Sequence, residues 1–172
     1  MSWQLGLARW AAHLGRDLQR AGRTAGGGRR LWESPAAVLE RILRLDAAAA
    51  TELVGIRRTF DPEAEAAGLT ACGIRHIGIG DAGYPPRLGE IVDPPYGLFV
   101  AGCGQLDDDL ARPVVAIVGS RRPTTFGMTF ARDLARGLSA RGALVVSGLA
   151  LGIDAEAHAG ALAAGSQTIA VL

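Results

Sequence analysis

Lysine is absent from the 172 residues: all 18 basic side chains are arginine. Any anion site must therefore use guanidinium forks or backbone N–H groups, and a phosphate-binding lysine of the Walker type is excluded. Cysteine is scarce. Cys72 and Cys103 have no CxxC partner and no His pair at ligand spacing, which argues against zinc and against a disulfide framework and fits inert thiols in a reducing cytoplasm. Long apolar runs are also missing. The longest, such as Pro113 to Val118, falls far short of the roughly 18 to 20 residues that span a bilayer. No metal site, membrane span or targeting signal of the secretory kind is expected. What is present, 49% hydrophobic and 20% charged residues, suffices for a sizeable core and excludes general disorder.

The net charge of +1 hides an uneven distribution. Residues 1–30 carry six Arg and one Asp, residues 31–112 seven Arg and thirteen acids, and residues 113–172 five Arg and three acids. The first stretch places Leu7, Trp10, Ala11, Leu14 and Leu18 at helical spacing and then runs into glycine from Ala25 to Gly28, which reads as an Arg-rich helical extension with a loose linker over 1–30. The composition also suits an organelle transit peptide. Residues 31–72 read as a small helical domain: Ser34-Pro35 as an N-cap and first turn, a helix over Ala47 to Arg58, and a third capped by Asp61-Pro62-Glu63. From residue 73 the pattern changes to strands, with Ile74, Ile77 and Ile79 in one and Tyr96 to Val100 in another. The run Asp107-Asp108-Asp109 reads as a solvated loop, since it lacks EF-hand spacing.

Residues 113–172 are the most regular. The apolar runs Pro113 to Val118, Leu144 to Val146 and Thr168 to Leu172 alternate with helical segments, Phe126 to Arg141 and Ile153 to Ala164. The first of these helices has Phe126, Phe130, Leu134 and Leu138 at steps of four. The expected fold is α/β, a partial doubly wound, extended Rossmann-like parallel sheet over 73–172 with right-handed crossovers, preceded by the helical module. Stopping on a third strand, the chain is expected to be an N-terminal fragment or a truncated product.

In such sheets ligands bind beyond the carboxyl ends of the strands. Those ends are Gly119-Ser120-Arg121-Arg122 and Ser147-Gly148-Leu149-Ala150-Leu151-Gly152. The glycines let backbone approach an anion, Ser120, Thr125 and Ser147 add hydroxyls, and Arg121 adds a bidentate fork, so Gly119, Ser120, Arg121, Thr125, Ser147 and Gly148 are the candidate phosphate-binding residues. No GxGxxG follows the first strand, so a dinucleotide cofactor has no support and none is expected. Asp154 and His158 lie four apart on one helix face and are open to two readings. They form an acid/base pair, or Asp154 closes the loop by accepting backbone N–H bonds while His158 packs inside; the second is favoured, and no catalytic set is recognisable. The loops contain no aromatic residue, Phe126 being nearest, so contacts should fall on phosphates.

The segments Tyr84-Pro85-Pro86-Arg87-Leu88, Leu98-Phe99-Val100-Ala101-Gly102, Val115-Ala116-Ile117-Val118-Gly119-Ser120-Arg121 and Val145-Val146-Ser147-Gly148-Leu149-Ala150-Leu151-Gly152-Ile153-Asp154, followed by Ala157-His158, together resemble the DNA-processing protein A (DprA, also Smf) family. The resemblance implies an extended Rossmann fold in a bacterial cytoplasmic protein that binds single-stranded DNA and helps load the RecA recombinase in natural transformation. It implies mediation rather than catalysis. It would place Gly119, Ser120 and Arg121 along a phosphate pocket with Ser147 and Gly148 opposite, and would add a homodimer where the family's C-terminal part is present. Leu151 and Ala159 stand where many members carry Arg or Lys, and residues 1–30 lack the Gly-Ile-Gly type hairpin of the helical domain. The rival expectations are a Rossmann-like enzyme hydrolysing nucleoside monophosphates and an inactive truncated remnant.

Overall fold

The structure is a computed structural model, described over residues 2–102, 106 and 110–172. Cys103 and Asp107 to Asp109 lie outside the described residues. Contacts divide the chain into two units, Met1–Cys103 and Gly104–Leu172, so the strands of 74–101 fall in the helical unit, although the sequence reading groups them with the sheet that follows.

The first unit contains α1 (Ser2–Leu14), α2 (Gln19–Ala25), α3 (Gly28–Glu33), α4 (Ala36–Leu43), α5 (Ala47–Thr59), α6 (Pro62–Ala71), β1 (Ile74–Gly78), α7 (Pro86–Gly89) and β2 (Gly97–Ala101). Residues 1–30 are not a loose extension. Leu7, Trp10 and Leu18 are buried in one cluster with Leu31, Trp32, Leu39, Leu43, Ala50 and Leu53, each large side chain contributing about 1.5 to 3 kcal/mol on burial. Trp10 stacks at a tilt on Trp32, centroids 4.5 Å apart, and its indole N–H donates to the Leu53 carbonyl at 3.1 Å. The approach depends on Gly6, where a Cβ would come within 2.5 Å of the Trp32 ring. The glycines expected to form a linker make a left-handed turn, Gly26 at φ 83° and Gly27 at φ 130°, which ends α2 and starts α3.

Caps act largely as their residue types dictate. The Asp46 carboxylate accepts from Ala49 N–H, and Asp61 from Glu63 and Ala64 N–H ahead of Pro62. Ser34 departs from expectation: its hydroxyl donates back to the Arg30 carbonyl at 2.8 Å, and α4 starts after Pro35 with no side-chain cap. Arg57 holds the end of α3 by donating to the carbonyls of Trp32 and Ser34. β1 and β2 form an antiparallel pair from Ile74 opposite Ala101 to Gly78 opposite Gly97.

The second unit contains β3 (Val114–Ala116), α8 (Thr125–Ser139), β4 (Leu144–Ser147), α9 (Ile153–Ala163) and β5 (Thr168–Ala170). The sheet is parallel in the order β3-β4-β5, giving the expected α/β pattern. Because the strands are added in one direction, both connecting helices deliver residues to one cluster: Ile117 and Val145 from the sheet side, Ala135 from α8, and Ala157 and Ala161 from α9. α8 and α9 meet through small side chains, and a Cβ on Gly160 would come within 2.2 Å of the Arg132 carbonyl. This close contact turns Ala131 and Ala135 inward, and of the apolar series at steps of four only Leu138 packs against the core. Phe126, Phe130 and Leu134 face outward.

Candidate functional site

Beyond the carboxyl ends of β3 and β4 the backbone forms two interlocked loops, 117–124 and 148–152. Asp154, buried in the first turn of α9, fastens them together. One carboxylate oxygen accepts from Gly119 N–H at 3.2 Å and the other from Gly148 N–H at 3.1 Å. Both glycines are sterically required for this approach: a Cβ on Gly148 would lie 2.9 Å from that carboxylate, and one on Gly119 2.8 Å from Ile153. A second tie joins Ile153 N–H to the Ser120 carbonyl at 3.1 Å. Next to it, Gly152 adopts φ 88° and ψ −127°, and a Cβ there would stand 2.3 Å from the same carbonyl. Leu149, exposed in the second loop, has φ 56°, a left-handed conformation uncommon for a residue with a branched side chain.

The candidate residues therefore divide into two groups. Gly119 and Gly148 lie at adjacent strand ends, but their N–H groups are directed at Asp154 rather than outward. Ser147 is buried and donates its hydroxyl to the Ile117 carbonyl at 2.6 Å, linking β3 to β4. Ser120, Arg121 and Thr125 are exposed. The Ser120 hydroxyl oxygen accepts from Arg122 N–H at 3.0 Å, closing a tight turn and leaving the hydroxyl proton free for another acceptor. Thr125 is the first residue of α8, while Thr124 supplies the N-cap by accepting from Gly127 N–H at 3.1 Å.

Charge is similarly divided. Arg132 pairs with Glu156, Arg136 with Asp133, and Arg141 donates to the Gly137 carbonyl. Among the described residues Arg121 and Arg122 have no ion pair, and both are exposed at the loop end of the sheet. Asp154 and His158 do not face each other as an acid and a base. The Thr168 hydroxyl donates to the Val145 carbonyl at 2.7 Å, so its oxygen accepts from His158 Nδ1–H at 2.9 Å. That fixes the tautomer and leaves Nε2 buried without a protein partner. Burial pushes the imidazole below its ordinary 6.5, against the opposing pull of Asp154.

A loop of glycine, serine and arginine, held by Asp154, thus closes the ends of the parallel strands, and similarity to known proteins gives the chain a family. The family model described as DNA recombination-mediator protein A matches residues 75–172. The chain belongs to that family. Among curated relatives, Protein Smf of Synechocystis is 43% identical over 95 residues, covering 54% of this chain and 23% of its own. The DNA processing protein DprA of Bacillus subtilis is 38% identical over 100 residues, covering 58% and 33%. The X-ray structure of DNA processing protein A from Streptococcus pneumoniae superposes with a TM-score of 0.54 at 31% identity, over 99% of this chain and 52% of that one. The matched region thus spans about a quarter to a third of these two curated relatives.

The part of the site that residue types did not reveal is the role of Gly152. Its signal was a glycine placed immediately before the helix that carries Asp154, two residues on, a position where a loop must pass close to a neighbouring backbone.

Proposed function

We propose that this chain binds single-stranded DNA through its phosphates at the 117–124 and 148–152 loops, as a DNA-processing protein that assists recombination during DNA uptake. The observation that carries the reading is a pair of exposed arginines, Arg121 and Arg122, with no ion pair among the described residues, on a loop whose backbone is held by Asp154. Ser120 and Thr125 supply hydroxyl donors beside them. Gly119, Gly148 and Ser147 serve the site by shaping it, their donors being taken up within the protein. RecA recombinase, as the partner that receives the strand, and self-association into a homodimer are parts of the reading that rest on family membership.

Because the arginine fork is presented from a fixed backbone, Arg121→Ala should weaken binding by about 1.5 to 3 kcal/mol, the range for a hydrogen bond to a charged group. It should also lower the magnitude of the salt slope by about 0.7 for each phosphate of the single strand that is no longer neutralised. Fluorescence anisotropy with a labelled oligo-dT across a salt series measures both quantities. Arg122→Ala, which removes the other member of the pair, should weaken binding over the same range. No loss for either variant would refute the assignment of the phosphates to this loop, and failure of the wild-type chain to bind the strand would refute the function.

A further inference from the structure

Phe126 and Phe130 are the only aromatic residues in 104–172, and neither is in the core. Phe126 is 77% exposed and Phe130 58%. Their rings lie 6.0 Å apart at 23°, an offset stack on the outer face of α8. Small residues occupy the inner face of that helix, so the two rings contribute little to holding the unit together. Their position is specific: Phe126 is the second residue of α8, five residues after Arg121. On an α-helix the Cα–Cβ bonds tilt toward the N-terminus, so both side chains lean toward the loop end of the sheet, where Arg121 and Arg122 are unpaired.

A flat apolar surface beside guanidinium groups on a phosphate-facing loop has the composition of a single-strand site, in which the backbone follows positive charge and bases stack on aromatic faces. We propose that Phe126, with Phe130 stacked behind it, is a platform for a nucleobase of the strand whose phosphates lie at Ser120 and Arg121. This inference rests on the reading of the loops as a single-stranded DNA site. It revises the expectation that contacts fall on phosphates alone. The strip is too small for stable protein docking by itself: two phenyl rings and the 41% exposed Leu134 extend about 12 Å along the helix at 1.5 Å per residue, whereas stable protein interfaces bury about 800 Å² per partner.

The test compares a labelled 15-nucleotide oligo-dT with an abasic strand of the same phosphate count, using the full 172-residue chain and the variants Phe126→Leu, Phe126→Trp and Arg121→Ala. The wild type should prefer the base-bearing strand by about fivefold or more, the lower end for one stacked base. Phe126→Leu should remove that preference and leave abasic affinity unchanged, while Phe126→Trp keeps it. Arg121→Ala should weaken both strands alike. If both strands bind equally and Phe126→Leu changes nothing, while Arg121→Ala still weakens both, the platform is overturned and the phosphate site stands. If neither strand binds, the DNA-binding reading fails and takes the platform with it. Equal weakening of both strands by Phe126→Leu would overturn stacking. So would a change in sedimentation on that substitution with unchanged DNA affinity, which would identify the strip as a protein contact.

Discussion

Replacing Asp154 by Asn keeps the side chain's size and removes half of its function. The carboxylate accepts from Gly119 N–H through one oxygen and from Gly148 N–H through the other, at 3.2 and 3.1 Å. An amide offers one oxygen, so one glycine N–H would face an NH₂ group instead of an acceptor. The loss comprises one hydrogen bond to a charged group, about 1.5 to 3 kcal/mol, together with the cost of an unsatisfied donor, about 1 to 3 kcal/mol. Partial relaxation toward water reduces the sum, and the expected destabilisation is about 3 kcal/mol. Urea unfolding followed by circular dichroism at 222 nm measures it, and amide hydrogen exchange at Gly119 and Gly148 locates it, at least one of the two exchanging faster in the variant. A change below about 0.5 kcal/mol with unaltered exchange at both glycines would refute the description of Asp154 as the clamp between the loops.

Three further outcomes follow from the same geometry. Gly152→Ala should destabilise by more than about 2 kcal/mol in urea unfolding, since its φ of 88° disfavours a side chain and the new Cβ would stand 2.3 Å from a backbone carbonyl; a neutral effect would mean the loops separate easily. Trp10→Phe should cost about 1 to 3 kcal/mol by leaving the Leu53 carbonyl without its indole donor, and unchanged stability would show that bond to be dispensable. Because burial lowers the His158 pKa below 6.5, the unfolded chain takes up the proton first as pH falls; this contribution to stability is intact above pH 6.5 and is lost below it. The decline in urea midpoint between pH 7.5 and 5.5 should therefore be shallower in His158→Gln, and an identical decline would contradict the buried neutral imidazole.

The strands and helices of 113–172 were legible because short β-branched runs alternate with helical segments of ordinary length, a pattern that few folds other than a parallel α/β sheet accommodate. The loop-closing role of Asp154 was also legible, as one of two readings, since a carboxylate at a helix start facing glycine-rich loops has backbone N–H groups within reach. Which face of α8 is buried was not. Steps of four favoured Phe126, Phe130 and Leu134, but a close approach at Gly160 selected Ala131 and Ala135, and a contact between two helices leaves no mark in the periodicity of either one. The same holds for Trp10, whose burial depends on Gly6 leaving room for Trp32, and for Ser34, whose hydroxyl turned to the helix before it rather than the one after. The direction of the Gly119 and Gly148 N–H groups depends on a side chain 35 residues from one of them and six from the other. Residue type identified these glycines as loop formers without showing which partner their amides would find.

Titrating the ¹⁵N-labelled chain with oligo-dT while following ¹H–¹⁵N shifts is the decisive test of whether the strand-end loops of 104–172 hold the phosphates of single-stranded DNA. The largest changes should fall at Ser120, Arg121, Arg122, Thr125 and the exposed residues of 148–152, with much smaller ones in the buried cluster around Trp10. Changes confined to residues 2–102, or none at saturating DNA, would contradict phosphate binding at these loops.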